Sequence, residues 1–302
     1  MNPTFLKERA ELQNRRERKG NFLFSAILCL CGSVFSAAHA QSAADVVREV
    51  NGAEARIAYS ATQIVQRGGA REVARIYRSG VKRRLEWVEP SIKRGDFLLD
   101  DGQNVWLYHR ADNSAIQTKS AGRARNLVPQ GWKLGVPIQQ NGRLVRVLTR
   151  GTGRKILVDA RTSVIIGTRS GANATTLQNI RFGNIPDSKW QFVKPPSATV
   201  TRLDGTLFGN LNLARRRAPW LKVPAQMPAN FRLESAVVGQ REAWLRYTNG
   251  QKRFSIFEQK ADAGEIGPRA VDGGWFWKRD NLRFLVTGAP ASAIASMASS
   301  LK

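Results

Sequence analysis

Cysteine is almost absent from this chain, and both copies, Cys29 and Cys31, lie in one apolar run. The remaining sequence therefore has no disulfide framework and no thiol for soft-metal binding or nucleophilic catalysis. Histidine is equally scarce, with His39 and His109 alone. Acidic side chains are outnumbered, 23 Asp and Glu against 48 Lys and Arg, for a formal net charge of +25. Such an excess fits an acidic partner or surface, whether anionic lipid head groups, a polyanion or an acidic protein segment.

The apolar run, Asn21 to Gln41, has three competing fates: spanning a membrane, carrying a lipid, or being removed. Phe22 to Ala38 is interrupted by Ser25, Gly32, Ser33 and Ser36 and falls short of the about 20 apolar residues of a spanning helix. Lys7, Arg9, Arg15, Arg16, Arg18 and Lys19 precede it, and Ala38-His39-Ala40 supplies small residues at −3 and −1, the pattern of a cleaved secretory signal over residues 1–40. Lipidation fits poorly, since Cys29 follows Leu28 and Cys31 follows Leu30. Arg15-Arg16 is followed by Glu-Arg-Lys, a weak match to twin-arginine export. The expected location is the periplasm, with cleavage after Ala40. An exported protein rarely meets nucleic acid, which removes the first guess that this charge would otherwise prompt.

The rest reads mainly as strands. An amphipathic helix over Ser42 to Glu54, with Val46, Val47 and Val50 on one face, precedes roughly ten segments rich in Val, Ile, Tyr, Trp and Thr up to Phe182. Asp101-Gly102 and Gly151-Thr152-Gly153 are the clearest hairpin turns, so an antiparallel meander is expected. Pro186, Pro195, Pro196, Pro219, Pro224 and Pro228 mark residues 184–230 as a connector, with a short helix expected over Leu207 to Arg217. Strands resume over residues 232–287, and Ser292 to Leu301 has helical spacing. The expected fold class is α+β, with a domain over 41–183 and a smaller α+β domain over 231–302.

Catalytic patterns are missing. There is no G-x-S-x-G elbow to pair with His109, which reads as an exposed strand histidine. Asp100 and Asp101 precede Gly102 in a tight turn, where Asp satisfies its own backbone. No Walker loop or dinucleotide fingerprint is present, so no enzyme activity, cofactor or metal is expected.

The most distinctive block is Arg83 to Ser120. Leu85 and Trp87 share one strand face, Phe97 and Leu99 another, and the third strand is apolar on both faces, with Trp106 and Tyr108 on one and Val105 and Leu107 on the other. Such a strand either lies sandwiched in a core or forms part of a curved sheet that holds an apolar ligand.

The order of a helix, an R-x-x-Y segment, L-E-W-x-x-P and D-G-x-x-V-W-L-Y, mostly within Arg56 to Thr118, is similar to the LolA/LolB lipoprotein carrier family. Pro224 to Leu233, Tyr247 to Glu258 and Val286 to Ala295 resemble the C-terminal domain of MucB/RseB-type periplasmic sigma-factor regulators. The resemblance implies an unclosed antiparallel β-barrel packed on helices, with Tyr59, Leu85, Trp87, Phe97, Leu99, Trp106 and Tyr108 as candidates for an apolar cavity. It also implies a non-enzymatic regulator that binds the periplasmic segment of a membrane-bound anti-sigma factor and senses acyl chains of lipid or lipoprotein. Lys82, Arg83, Arg84, Lys93 and Arg94 are candidate rim cations for an acidic head group, or else solvated strand edges. Arg215, Arg216 and Arg217 are candidates for an acidic partner segment, or else linker charges; Trp275 and Trp277 read as core of the second domain. A lipid or lipoprotein carrier and a cationic polyanion-binding envelope protein are the alternatives, and homo-oligomerisation is open.

Overall fold

The computed structural model describes residues 41–122, 126–228 and 230–301. The expected signal segment and its cleavage site lie outside the described residues. The first helix, α1 (Ala43–Arg56), is opened by a capping box in which Ser42 and Asp45 satisfy each other's free backbone N–H groups. Its Val46, Val47 and Val50 are fully buried against Leu148, Ile156 and Val158, so the apolar stripe seen in the sequence is the face that docks.

Thirteen strands form the first sheet. They begin with β1 (Tyr59–Arg67), β2 (Ala70–Ser79), β3 (Lys82–Glu89), β4 (Phe97–Asp100), β5 (Asn104–His109) and β6 (Ser114–Lys119). Next come the short β7 (Lys133–Leu134) and β8 (Ile138–Gln140), then β9 (Arg143–Arg150), β10 (Arg154–Asp159), β11 (Ile165–Ser170), β12 (Asn173–Phe182) and β13 (Thr199–Arg202). The order is β13-β6-β5-β4-β3-β2-β1-β12-β11-β10-β9-β7, with β8 beside β9. Its two end strands are not paired with each other, so the sheet is unclosed. The Asp100-Asp101 turn behaves as its sequence requires: the Asp100 carboxylate accepts from Gly102 N–H at 3.0 Å, and that of Asp101 from Gln103 and Asn104 N–H at 2.8 and 2.7 Å.

The second sheet holds β14 (Gly205–Phe208), β15 (Arg232–Gly239), β16 (Glu242–Thr248), β17 (Arg253–Lys260), β18 (Ile266–Val271), β19 (Gly274–Arg279) and β20 (Leu282–Thr287), in the order β14-β15-β16-β17-β20-β19-β18. It begins earlier than expected, inside the proline-rich stretch. That stretch also supplies β13, which pairs parallel with β6. The expected short helix is confined to α2 (Leu211–Arg217), because Gly205 to Phe208 pair with β15 as a strand. Gly205 lies directly opposite Gly239; a Cβ on Gly205 would lie 2.7 Å from the Val238 carbonyl carbon, so the two strands meet here only because the side chain is missing.

Each face of the second sheet has its own core. Leu245, Ile256, Phe284 and Trp277 pack with α2 and with α3 (Ala291–Ser299), whose Ile294 and Met297 are buried. On the opposite face, Val237 and Trp244 join Leu85, Leu98 and Leu107 of the first sheet in one apolar cluster. The described residues from Ser42 onward form one compact unit. The architecture is α+β, mostly sheet, with few helices.

Candidate functional site

Strand alternation decides which residues face the second sheet. Leu85 and Trp87 of β3, Leu98 of β4, and Leu107 and His109 of β5 all line a cavity of about 450 Å³. Its opposite wall is Leu207, Phe208, Leu233, Glu234 and Ser235. This volume falls in the range of small-molecule sites, about 300–1,000 Å³. Arg67, Arg83 and Arg232 also contribute to the lining; Arg67 and Arg232 are exposed.

Part of the cavity lining, Glu72, Lys93, Asp96 and Glu234, belongs to a buried charge network. Lys93, only 6% exposed, lies 3.1 Å from Glu72 and 2.8 Å from Glu234. The Arg253 guanidinium donates to both Glu234 oxygens, at 2.9 and 3.0 Å, and lies 2.6 Å from Asp96. It also donates to the Ile92 carbonyl at 3.1 Å. Two-pronged pairing of this kind fixes orientation as well as charge. Burial pushes the Glu234 carboxyl up, but Lys93 and Arg253 outweigh it and hold the group at about 2. Asp96 meanwhile accepts from Arg110 N–H at 2.9 Å and faces His109 Nδ1 at 3.4 Å. Burial lowers the His109 pKa, and Arg246 acts in the same direction, while the hydrogen bond to Asp96 opposes both.

The seven residues expected in the cavity divide into three groups. Leu85 and Trp87 line it. Tyr59 is buried in the same apolar cluster but does not line that cavity; it borders a smaller recess beside Glu54 and Ile165. Phe97, Leu99, Trp106 and Tyr108 lie on the outer face: Leu99 packs with Ile185 and Trp190, Trp106 stacks on Phe192 at 5.4 Å, and Tyr108 packs with Ala198. The physical reason is that residues 183–202 cover the outer face, so both sides of β4 and β5 are apolar and alternation alone does not tell inside from outside.

The expected rim is also rearranged. Arg83 lines the cavity, whereas Lys93 belongs to the buried network. Arg84 faces outward, bonded to Glu86 at 2.7 Å and stacked over Phe97. Arg94 is exposed and donates to the Val88 carbonyl at 3.3 Å, and Lys82 is not part of the lining. His109 is 2% exposed, which corrects the expectation of a surface histidine. Arg216 and Arg217 are exposed at the end of α2; Arg215 is half-buried and its charge reaches Glu258 and Tyr247. Trp277 is buried and Trp275 partly buried in the second sheet's core.

Sequence reasoning missed Asp96, His109, Glu234 and Arg253. The parity of His109 with Leu107 was a usable signal, whereas the partners of Arg253 lie far away along the chain. Among the described residues no group of three His, Cys, Asp or Glu side chains could hold a metal ion, and no helix is long and apolar enough to cross a membrane.

No family model and no curated protein matches the chain. Solved structures do. MucB is 16% identical, with a TM-score of 0.42 over 86% of this chain and 97% of that one. The MucA/MucB complex of Pseudomonas aeruginosa aligns at 16% identity and a TM-score of 0.39, over 86% and 98% of the two chains. An uncharacterised conserved protein from Thermus thermophilus aligns at 15% identity and a TM-score of 0.42, covering 53% of this chain and 98% of its own.

Proposed function

We propose that this chain is an exported, non-enzymatic binding protein of the periplasm that takes an amphiphile between its two sheets and holds the periplasmic segment of a membrane-bound anti-sigma factor. The observation that carries the reading is the cavity of about 450 Å³ walled by both sheets, apolar along Leu85, Trp87, Leu98, Leu107 and Leu233 and flanked by Arg67, Arg83 and Arg232. Each methylene withdrawn from water contributes about 0.8 kcal/mol, so a partly buried chain of about ten gives several kcal/mol before ordering costs. This suits reversible occupancy. The arginines offer charge-assisted hydrogen bonds to an acidic head group.

The regulatory reading is favoured over simple carriage because the wall that completes the cavity belongs to the second sheet. Filling the cavity thereby acts on the junction formed by Lys93, Asp96, Glu234 and Arg253. From the motifs at Pro224 to Leu233 and Tyr247 to Glu258, Arg232, Leu233 and Thr248 line the cavity. The excess of Lys and Arg over Asp and Glu in the sequence suits an acidic partner segment.

Two measurements test this. Pull-down from an envelope extract at low salt should recover a single-span membrane protein with a cytoplasmic sigma-binding segment, and adding decanoate should weaken the capture. Recovery of no such protein sinks the regulatory half. A stoichiometric lipid in an organic extract of the purified protein, without protein capture, would favour a carrier.

A further inference from the structure

Three neighbouring hairpins of the first sheet turn at the same end. The registers Gln66↔Ala174 and Arg154↔Ser170 set three turns side by side: Gly68-Gly69 after β1, Gly171-Ala172 after β11 and Gly151-Thr152-Gly153 after β9. Six strands at about 4.8 Å spacing make this edge about 24 Å wide. Gly68, Gly69, Gly151 and Gly171 have positive φ, and a Cβ on any of them would meet nothing within 4 Å, so the turns project into open space. Six cations stand within two residues of these turns: Arg67, Arg71, Arg150, Arg154, Lys155 and Arg169.

Little that is acidic balances them. Residues 59–71, 143–158 and 165–182 contain no Asp or Glu. Glu72 lies 3.1 Å from Lys93 in the buried network, and among the described residues Arg71 alone of the six is ion-paired, with Glu89. Two cross-strand pairs set cation against cation, Arg150 opposite Arg154 and Lys155 opposite Arg169. Like charges directly opposed destabilise a sheet. Arg150 and Arg154 find some relief over the Trp132 ring, at 5.8 and 5.3 Å, whereas Lys155 and Arg169 are exposed. A charge arrangement that costs stability in the free protein calls for an anion outside it.

We propose that this edge is the surface by which the protein settles on an anionic lipid bilayer. A protein segment is held by apolar anchors in well-packed pockets, and these turns offer only glycine, Thr152 and Ala172. A plane of phosphate head groups asks for exposed cations and little else. Val128, 58% exposed, adds an apolar side chain nearby, since its carbonyl accepts from the Trp132 indole at 3.0 Å. The edge also borders the cavity. Arg67 lines it, and Gly68, Ala70 and Arg71 line a second recess that shares Glu72, Lys93 and Arg232 with it. Adsorption to the bilayer goes beyond the cavity reading; that the bilayer supplies the amphiphile rests on that reading.

Sedimentation of the full mature chain with phosphatidylcholine vesicles, neutral or carrying about one-third phosphatidylglycerol, tests this at low salt. Binding should be at least about tenfold tighter to the anionic vesicles and should weaken as salt is added. Lys155→Gln combined with Arg169→Gln should weaken it about tenfold, while urea unfolding shows equal or greater stability because a like-charge pair is gone. The charge-matched control, Arg161→Gln with Arg181→Gln, removes exposed cations beyond the far ends of β10 and β12 and should cost less than about threefold. Equal affinity for the two kinds of vesicle, or equal losses in the two double variants, overturns the proposal. So does tighter binding of soluble polyglutamate that is lost with Lys155 and Arg169, which assigns the edge to an acidic protein segment. Decanoate titration of the same protein reads the cavity separately, so a failed surface leaves a decanoate-binding cavity standing.

Discussion

Glu234 and Glu258 lie on opposite faces of the second sheet, both buried, and titrate in opposite directions. Burial raises both. At Glu234 the Lys93 ammonium and the Arg253 guanidinium lie within hydrogen-bonding distance and bring the carboxyl down to about 2. At Glu258 the main relief is one backbone N–H, from Lys222 at 3.1 Å, with Arg215 and Lys222 acting only through their charges, and the carboxyl is pushed up to about 8. One Glu258 oxygen, the Tyr247 hydroxyl and the Trp277 indole N–H have no hydrogen-bond partner among the described residues. Equal burial therefore yields a fixed anion where cations are in contact and a neutral acid where they are not.

Removing the anion from the satisfied face should have the largest effect. Glu234→Gln leaves Lys93 with Glu72 and Arg253 with Asp96, and should cost about 3–5 kcal/mol in urea unfolding. Its pH signature is on the acid side: the Glu234 contribution is complete above the ordinary carboxyl value of 4.5 and is lost as pH falls through 4.5 toward about 2.

The other face should respond at the opposite end of the scale. Folded Glu258 keeps its proton up to about 8 while the unfolded chain releases it near 4.5, so stability falls as pH rises between these values. Between pH 6 and 8 the wild type should lose about 2 kcal/mol relative to Glu258→Gln, a difference that parallel urea titrations will read. Equal slopes for the two proteins would remove the contrast. Arg215→Gln sharpens it further: Arg215 lowers the folded Glu258 pKa, so the fall in stability that begins near 4.5 should extend to higher pH. The smallest effect is expected for Tyr247→Phe, which deletes a buried hydroxyl without a partner and should be neutral or stabilising by up to about 1 kcal/mol in thermal unfolding.

Local features were the legible ones. The Ser42 to Glu54 periodicity, the Asp100-Asp101 turn and the alternation in Arg83 to Ser120 each depend on residues a few positions apart, and each is found in the structure. What alternation gives is a pairing of residues by face, not the direction of the face. Leu85 and Trp87 therefore fell inside, while Phe97, Leu99, Trp106 and Tyr108 fell outside, beneath Ile185, Trp190 and Phe192. The charge network escaped because its members come from separate regions: Arg253 reaches Asp96 and Ile92 in the segment between β3 and β4. Lys93 and His109 read as surface groups because only the second sheet's arrival buries them. β14 was hidden by the prolines around it, its strand character depending on β15 as a neighbour.

The passage from β13 to β14 leaves only Leu203 and Asp204 between the last strand of one sheet and the first of the other. The Thr118 hydroxyl clasps the Gly205 carbonyl at 2.6 Å, and Leu203 N–H donates to the Gln117 carbonyl at 2.9 Å, so this short crossing is itself anchored on β6. The sheets are thus joined by a taut stitch, not a slack tether. Any swing of one against the other must tug on the β13–β6 seam, the parallel pair at the edge of the first sheet.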